Sequence, residues 1–421
     1  MAGLASAWML SQEGFRVTVF EKGPLPGLSA HSRDFSQFNP EATNELPGDV
    51  PSRMFNESLW PSVTEIYREA GIEFEPVDHQ QTFFQNDDVL LKIGLPYSTT
   101  VLKNVFNPVA RRLIGSLAAF QKTGLAELES GEAKNQTFGE FVDRHFHESS
   151  FREFLDCFLF PALTSTVFTC PKNDLRNYPC HLVLDALRRI TGDGNLMRTV
   201  RGSDHAAKSL LSNIKDVRFN TAVKQVSSGP ESATVHTECE SFEFDHVVVA
   251  TQANHASQIV ARDLAEESAL LKQFRYVDVP ISVHTDSSIL PANKSAWGTF
   301  NFDSTDSETA TCTVWMNRFH PTWPKSVDVF HSIFPSDVIK AEHILFSTTM
   351  QRPVVDVDSS GLIGEIERFH CEPRRVWFAG SYASAGVPLL ESAVVSGRAV
   401  VEKMIAQCHK SPLESSAGTL S

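Results

Sequence analysis

Arg375-Val376-Trp377-Phe378-Ala379-Gly380-Ser381-Tyr382 and, a short way on, Glu391-Ser392-Ala393-Val394-Val395-Ser396-Gly397 decide how this chain reads. The first stretch predicts a strand over 375–379 that ends in a turn at Gly380. The second opens a helix over roughly 391–407, with small residues in its first turn. A strand, a glycine and a small-residue helix start expose backbone N–H groups at the positive end of a helix dipole. Such a place suits a phosphate or the anionic edge of a flavin ring, although the same spacing also describes a plain helix cap.

The amino terminus carries the matching half. Residues 2–13 are rich in small side chains and helical in pattern, Gly14 stops them, and Phe15-Arg16-Val17-Thr18-Val19-Phe20-Glu21 alternates as a short buried strand. A helix running straight into a parallel strand is half of a βαβ unit. A dinucleotide site needs a glycine-rich turn, a helix amino end facing the pyrophosphate, and an acid about 20 residues on for the ribose. Gly3, ahead of Leu4-Ala5-Ser6-Ala7-Trp8, fits the third glycine of that turn, and Glu21 fits the ribose acid. The first strand and first two glycines do not precede Met1, so the chain as written is expected to be poorly stable and to bind a dinucleotide weakly.

Between these ends, 61–196 reads as mostly helical. Asn107-Pro108 is a cap with proline at the first helical position, followed by an apolar stripe of Val109, Leu113, Ile114, Leu117 and Phe120. Thr137-x-x-Glu140 is a capping box ahead of Phe141, Val142 and Phe146. Strand patterns then follow at 217–219, 233–237, 242–250, 281–284, 310–315 and 328–333. A polar tail over 411–421 is expected to be disordered.

Composition narrows the class. A chain of 421 residues is too long for one ordinary core, so two domains are expected. Its 37 basic and 51 acidic residues leave a net charge of −14, which a nucleic-acid backbone would repel. No stretch approaches the roughly 18 uninterrupted apolar residues of a membrane span, which leaves only peripheral membrane contact open. Seven scattered cysteines without CxxC spacing point to neither a disulfide framework nor a metal site. With no secretory signal in view, a cytoplasmic protein is expected. His31, His181, His284 and His320 do not cluster in sequence, and His284 on an alternating strand reads as a satisfied residue rather than a base. Phe154, Phe158, Phe160 and Phe168 read as core, with an apolar substrate tunnel as the alternative.

The two ends together resemble the flavin-containing amine oxidase and phytoene desaturase superfamily. A closer similarity is to FAD/NAD(P)-binding proteins related to the oxidase-like amino-terminal part of plant cyclopropane fatty-acid synthases. Five short elements carry it in order: 168–171 (FTCP), 198–203 (RTVRGS), 283–286 (VHTD), 315–318 (WMNR) and 378–382 (FAGSY).

This resemblance implies FAD as cofactor and a set of residues to hold it. Glu21 would meet the adenosine ribose, with Lys22 beside it in the cofactor site, and Gly3 would be the glycine where the first helix packs on its strand. Gly27, Ser29 and His31 would lie in the loop over the pyrophosphate, and Val223, on a strand after Phe219-Asn220, would meet the adenine. Gly380, Ser381 and the turn Glu391-Ser392-Ala393 would face the flavin. The chain departs from the family at Leu28, where a second glycine is usual, and at Ser381, where an acid is usual.

The expected fold is α/β: a three-layer, Rossmann-like FAD-binding domain with a parallel sheet, from 1–60, 197–270 and 365–410. A substrate domain of helices and a mixed sheet would comprise 61–196 and 271–364. The expected function is FAD-dependent oxidation or desaturation of a small, apolar or lipid-like molecule, by hydride transfer to flavin. A redox-neutral flavin isomerase and a non-catalytic relative are the alternatives. The sequence singles out no catalytic base and does not indicate an oligomeric state.

Overall fold

The computed structural model describes residues 1–29, 32–94, 104, 106–193, 196–305 and 310–414. Helix α1 (Ala2–Gln12) leads into strand β1 (Thr18–Phe20). After helix α2 (Pro61–Glu69) come β2 (Gln81–Gln85) and β3 (Asp88–Ile93), then helices α3 (Pro108–Ser130) and α4 (Phe138–His145). Helix α5 (Gly202–Leu211) precedes β4 (Asp216–Arg218), β5 (Gln225–Ser228), β6 (Ala233–His236), β7 (Ser241–Phe244) and β8 (Val247–Val249). Five further strands follow: β9 (Tyr276–His284), β10 (Phe300–Asp303), β11 (Thr311–Trp315), β12 (Phe330–Ile333) and β13 (Ile344–Pro353). The described chain closes on β14 (Val376–Phe378) and α6 (Leu390–Glu414).

The strands from the two ends of the sequence pair in parallel. Val19 of β1 lies beside Val217 of β4, and Val248 of β8 beside Trp377 of β14. Alternation along β14 explains its all-apolar sequence, because its two faces are both covered. Trp377 packs with Ala2, Leu10, Val400 and Met404 of α1 and α6, while Val376 and Phe378 pack with Val226 and Ala233 of the antiparallel β5–β6–β7 sheet. Helices, parallel strands and a second sheet thus form three layers. Among the described residues no hydrogen bonds join the β1–β4 pair to the β8–β14 pair.

The larger sheet has seven strands in the order β13-β9-β12-β11-β10-β2-β3, antiparallel except where β10 meets β2. One of its faces packs on the helical block. There Phe83 stacks on Phe302 at 4.6 Å and meets Phe158 at 4.6 Å. Asn107 caps α3 by accepting from the N–H groups of Val109 and Ala110, and Thr137 with Glu140 closes a capping box on α4.

Several expectations change. The stretch 61–196 is mostly helical, but it also holds a hairpin: β2 and β3 turn at Asn86 with φ 55° and extend the large sheet. An alternating Thr-Phe-Phe run beside Asn86-Asp87 is a hairpin signal that the helical surroundings masked. Strands β10 and β13 were not anticipated. The single strand expected over 242–250 is two, because β7 pairs with β6 whereas β8 pairs with β14 in another sheet. Ile114 is 42% exposed and stands outside the apolar stripe of α3. Helix α6 runs to Glu414, into the stretch expected to be a tail, and 415–421 lie outside the described residues.

Candidate active site

A cavity of about 370 Å³ opens where the parallel layer faces the large sheet. One wall is made of backbone turns: Met1 and Ala2 at the start of α1, Ala250 to Gln252 after β8, Gly380 to Tyr382 after β14, and Leu390 and Ala393 at the start of α6. The opposite wall is one face of the sheet. Val279 and Ile281, Cys312 and Val314, His331 and Ile333, and Met350 and Arg352 each stand two apart on their strands, so the pleat turns both members inward. The segments 51–54 and 165–169 complete it, lacking only Phe168 from the lining.

Close packing brings the turn wall together. A Cβ at Gly3 would lie 3.1 Å from the Ala250 Cβ, and one at Gly397 would lie 2.8 Å from the Ser6 Oγ and 3.1 Å from the Ala2 carbonyl oxygen. Glycine at both positions lets α1 settle against the end of β8 and against α6. At the end of β1, Glu21 accepts from the Gly23 N–H at 2.9 Å and, among the described residues, pairs with no cation. Its other carboxylate oxygen lies 3.7 Å from where a Cβ of Gly27 would stand. That leaves an acid with spare acceptor capacity beside an unencumbered backbone, near the buried start of α1.

Of the residues expected to hold the cofactor, Gly380, Ser381 and Ala393 line the cavity. Others are engaged elsewhere. The Glu391 carboxylate accepts from Ser62 N–H at 3.0 Å and Val63 N–H at 3.1 Å, capping the amino end of α2, and Glu391 does not line the cavity. Buried Ser392 donates through Oγ to the Val387 carbonyl at 2.7 Å. Ser29 is buried and donates to the Pro26 carbonyl at 3.0 Å. Gly380 donates its N–H to Ser396 Oγ at 2.8 Å, so that group is not the free donor the turn was expected to offer. Val223 is half-buried in an irregular link before β5 rather than on a strand, and Lys22 is exposed. His31 lies outside the described residues.

Residues not singled out in the sequence supply most of the cavity's polar chemistry. His331 Nε2 accepts from the Ser52 N–H at 3.0 Å, so the neutral ring carries its proton on Nδ1, which has no partner. Burial pushes its pKa down to about 3, with His284 adding to the effect. His79, also lowered by burial to about 4, sits against Gln81. The Tyr276 hydroxyl accepts from the Ala253 N–H at 2.8 Å and is raised by burial to about 12. Tyr382 is buried, its hydroxyl has no partner, and burial raises its pKa too.

Arg53 and Arg352 complete the charged groups, and no Asp, Glu or Lys lines the cavity among the described residues. None of these has a sequence signal. His331 and Arg352 are single members of alternating strands, and only the sheet register turns them inward. Phe154, Phe158, Phe160 and Phe168 do not line the cavity; they pack in the core, Phe168 against Tyr178 at 5.1 Å. His284 is fully buried and bonds Ser332 Oγ at 2.9 Å.

Parallel strands with a helix at each end, facing a mixed sheet across a cavity, define an α/β protein built around a cleft between two sheets. A family model described as flavin containing amine oxidoreductase matches residues 1–329, and the chain belongs to that family. It is an FAD-dependent enzyme of this class. A fatty acid isomerase from P. acnes has a similar structure, at TM-score 0.67 and 14% identity over 96% of both chains. An oxidoreductase from Methanosarcina mazei matches at 0.65 and 12%, over 96% of this chain and 98% of its own. Cyclohexylamine oxidase from Brevibacterium oxydans IH-35A matches at 0.63 and 12%, over 96% and 97%. At these identities the likeness is one of fold. No curated protein sequence matches the chain. Among the described residues no helix is long and apolar enough to cross a membrane.

Proposed function

We propose that the protein oxidises or desaturates a small, largely apolar molecule held in the cavity between the Gly380 turn and the large sheet. The observation that carries this is the make-up of the two walls. One consists of the turns and helix starts from the paired parallel strands, and the other is dominated by Val279, Ile281, Val314, Ile333 and Met350. An apolar wall of this kind binds hydrocarbon by removing it from water.

FAD, when bound, supplies the two-electron acceptor for a hydride leaving a substrate carbon. Glu21 would take the adenosine ribose, and the start of α1 with Gly3 the pyrophosphate. Arg53 would supply a counter-charge there: it donates to the Leu28 carbonyl at 3.1 Å and, like Glu21, lies close enough to the Met1 amino group to influence it. Gly380, Ser381 and Ala393 would pack against the ring. The sheet residues hold the substrate and exclude water.

The same reading divides the chain into a cofactor domain (1–60, 197–270 and 365–410) and a substrate domain (61–196 and 271–364). Its support is that the four strands of the β1–β4 and β8–β14 pairs fall in the first set, and all seven strands of the large sheet in the second. Seven free cysteines suit a cytoplasmic setting.

The test is a visible spectrum of the purified protein, followed by anaerobic mixing with candidate apolar substrates. Flavin absorbance at roughly 450 nm that bleaches with substrate is the expected result. Colourless protein that takes up no added FAD would refute the reading. Turnover that moves a double bond with no net electron uptake would replace oxidation with isomerisation.

A further inference from the structure

We propose that Arg352 anchors a carboxylate, so that the substrates are apolar acids rather than amines. The inference rests on the cavity being the substrate site. Arg352 stands on β13 two residues from Met350, on the same inward face. Its Nη2 donates to the Val167 carbonyl at 3.3 Å, its Nε has no partner, and among the described residues it forms no ion pair.

Three other arginines at least partly withdrawn from water are each held by an acid. Arg374 is held by Glu267 at 2.8 Å, Arg318 by Asp78 at 2.9 Å, and Arg198 by Glu75. A guanidinium withdrawn from water without an acid is costly, and its fork of N–H groups matches a carboxylate. Arg352 is half-buried, and burial together with the neighbouring Arg53 lowers its pKa.

The surroundings agree. Although the protein carries a net charge of −14, the described lining of this cavity contains two arginines and no acid. An ammonium substrate would find no carboxylate to pair with among the described lining residues. Arg53 lies close enough to influence both the Met1 amino group and Arg352, so the two cations together favour an anion in this cavity. Val167 closes a π-helical turn after Pro161, which has no N–H to donate, and Thr169 beyond it holds a left-handed φ of 47°.

The probes are decanoate and methyl decanoate, titrated calorimetrically into the purified protein, with bound flavin read from its absorbance in every sample. The wild type is expected to bind decanoate at least about tenfold more tightly than the ester. Arg352→Met should lose roughly that factor for decanoate and keep its affinity for the ester. Arg352→Lys, which retains charge without the fork, should fall between. If Arg352→Met does not fold, the wild-type acid-to-ester ratio and the lysine variant decide.

Equal binding of acid and ester by the wild type, binding of neither, or full decanoate affinity in Arg352→Met would overturn the proposal. So would loss of flavin from the variant with the acid-to-ester ratio unchanged, since that places the guanidinium on the cofactor. A wild type that lacks flavin yet discriminates acid from ester would count against the oxidoreductase reading alone.

Discussion

His331 Nε2 accepts the backbone N–H of Ser52 at 3.0 Å, and this bond ties the large sheet to the segment leading into α2. It needs a neutral imidazole, since a protonated ring has no acceptor. Burial holds His331 at about 3, His370 at about 3 and His284 at about 4, all below the usual 6.5. Below pH 6.5 the unfolded chain therefore binds protons that the folded chain refuses. Stability present above 6.5 is lost as pH falls toward these lowered values. Between pH 6.5 and pH 5 the loss amounts to about 2 kcal/mol for each such histidine, as an upper figure. Urea midpoints measured across this range should fall, and His331→Gln should flatten the dependence.

Glu391 offers a separate test, because its carboxylate serves α2 and not the cavity. Glu391→Ala removes the acceptor for two N–H groups and a negative charge at a helix amino end. A loss of about 1–2 kcal/mol in urea unfolding is expected. Flavin content per folded molecule should stay near that of the wild type. A variant that unfolds normally but is colourless would show that this turn's carboxylate matters to the cofactor after all.

Glu21 should behave in the opposite way. Its side chain bonds only Gly23 among the described residues, so Glu21→Ala should barely alter unfolding. FAD affinity should drop by about 1.5–3 kcal/mol through loss of charge-assisted hydrogen bonds to ribose. Titration of apoprotein with FAD measures this directly.

Gly397 tests the helix contact that shapes the turn wall. A valine there would press against Ser6 and the Ala2 carbonyl, with the nearest approach already 2.8 Å for a bare Cβ. Overpacking of about 1–3 kcal/mol is expected, with FAD retention falling in parallel because Met1 and Ala2 line the cavity. Thermal unfolding and flavin absorbance of the same sample report both effects.

Local pattern alone determined much of the framework. The strand-glycine-helix run at 375–397, the helix-strand run at 2–21, the cap at Asn107 and the box at Thr137 each rest on neighbours a few residues apart, which is the range over which caps, turns and periodicity act. Belonging to a flavoprotein fold followed from the order of such pieces. The tertiary structure decided which side chains meet across the cavity. Glu391 is drawn to α2, more than three hundred residues away in sequence, because unpaired N–H groups wait there. Gly380 spends its N–H on Ser396. The inward turn of His331 and Arg352 depends on the register of β12 and β13 within a seven-strand sheet, and a one-residue slip would send both to the other face. Register is set by pairing between distant strands, so the polar chemistry of the cavity could be read only once the sheet was assembled.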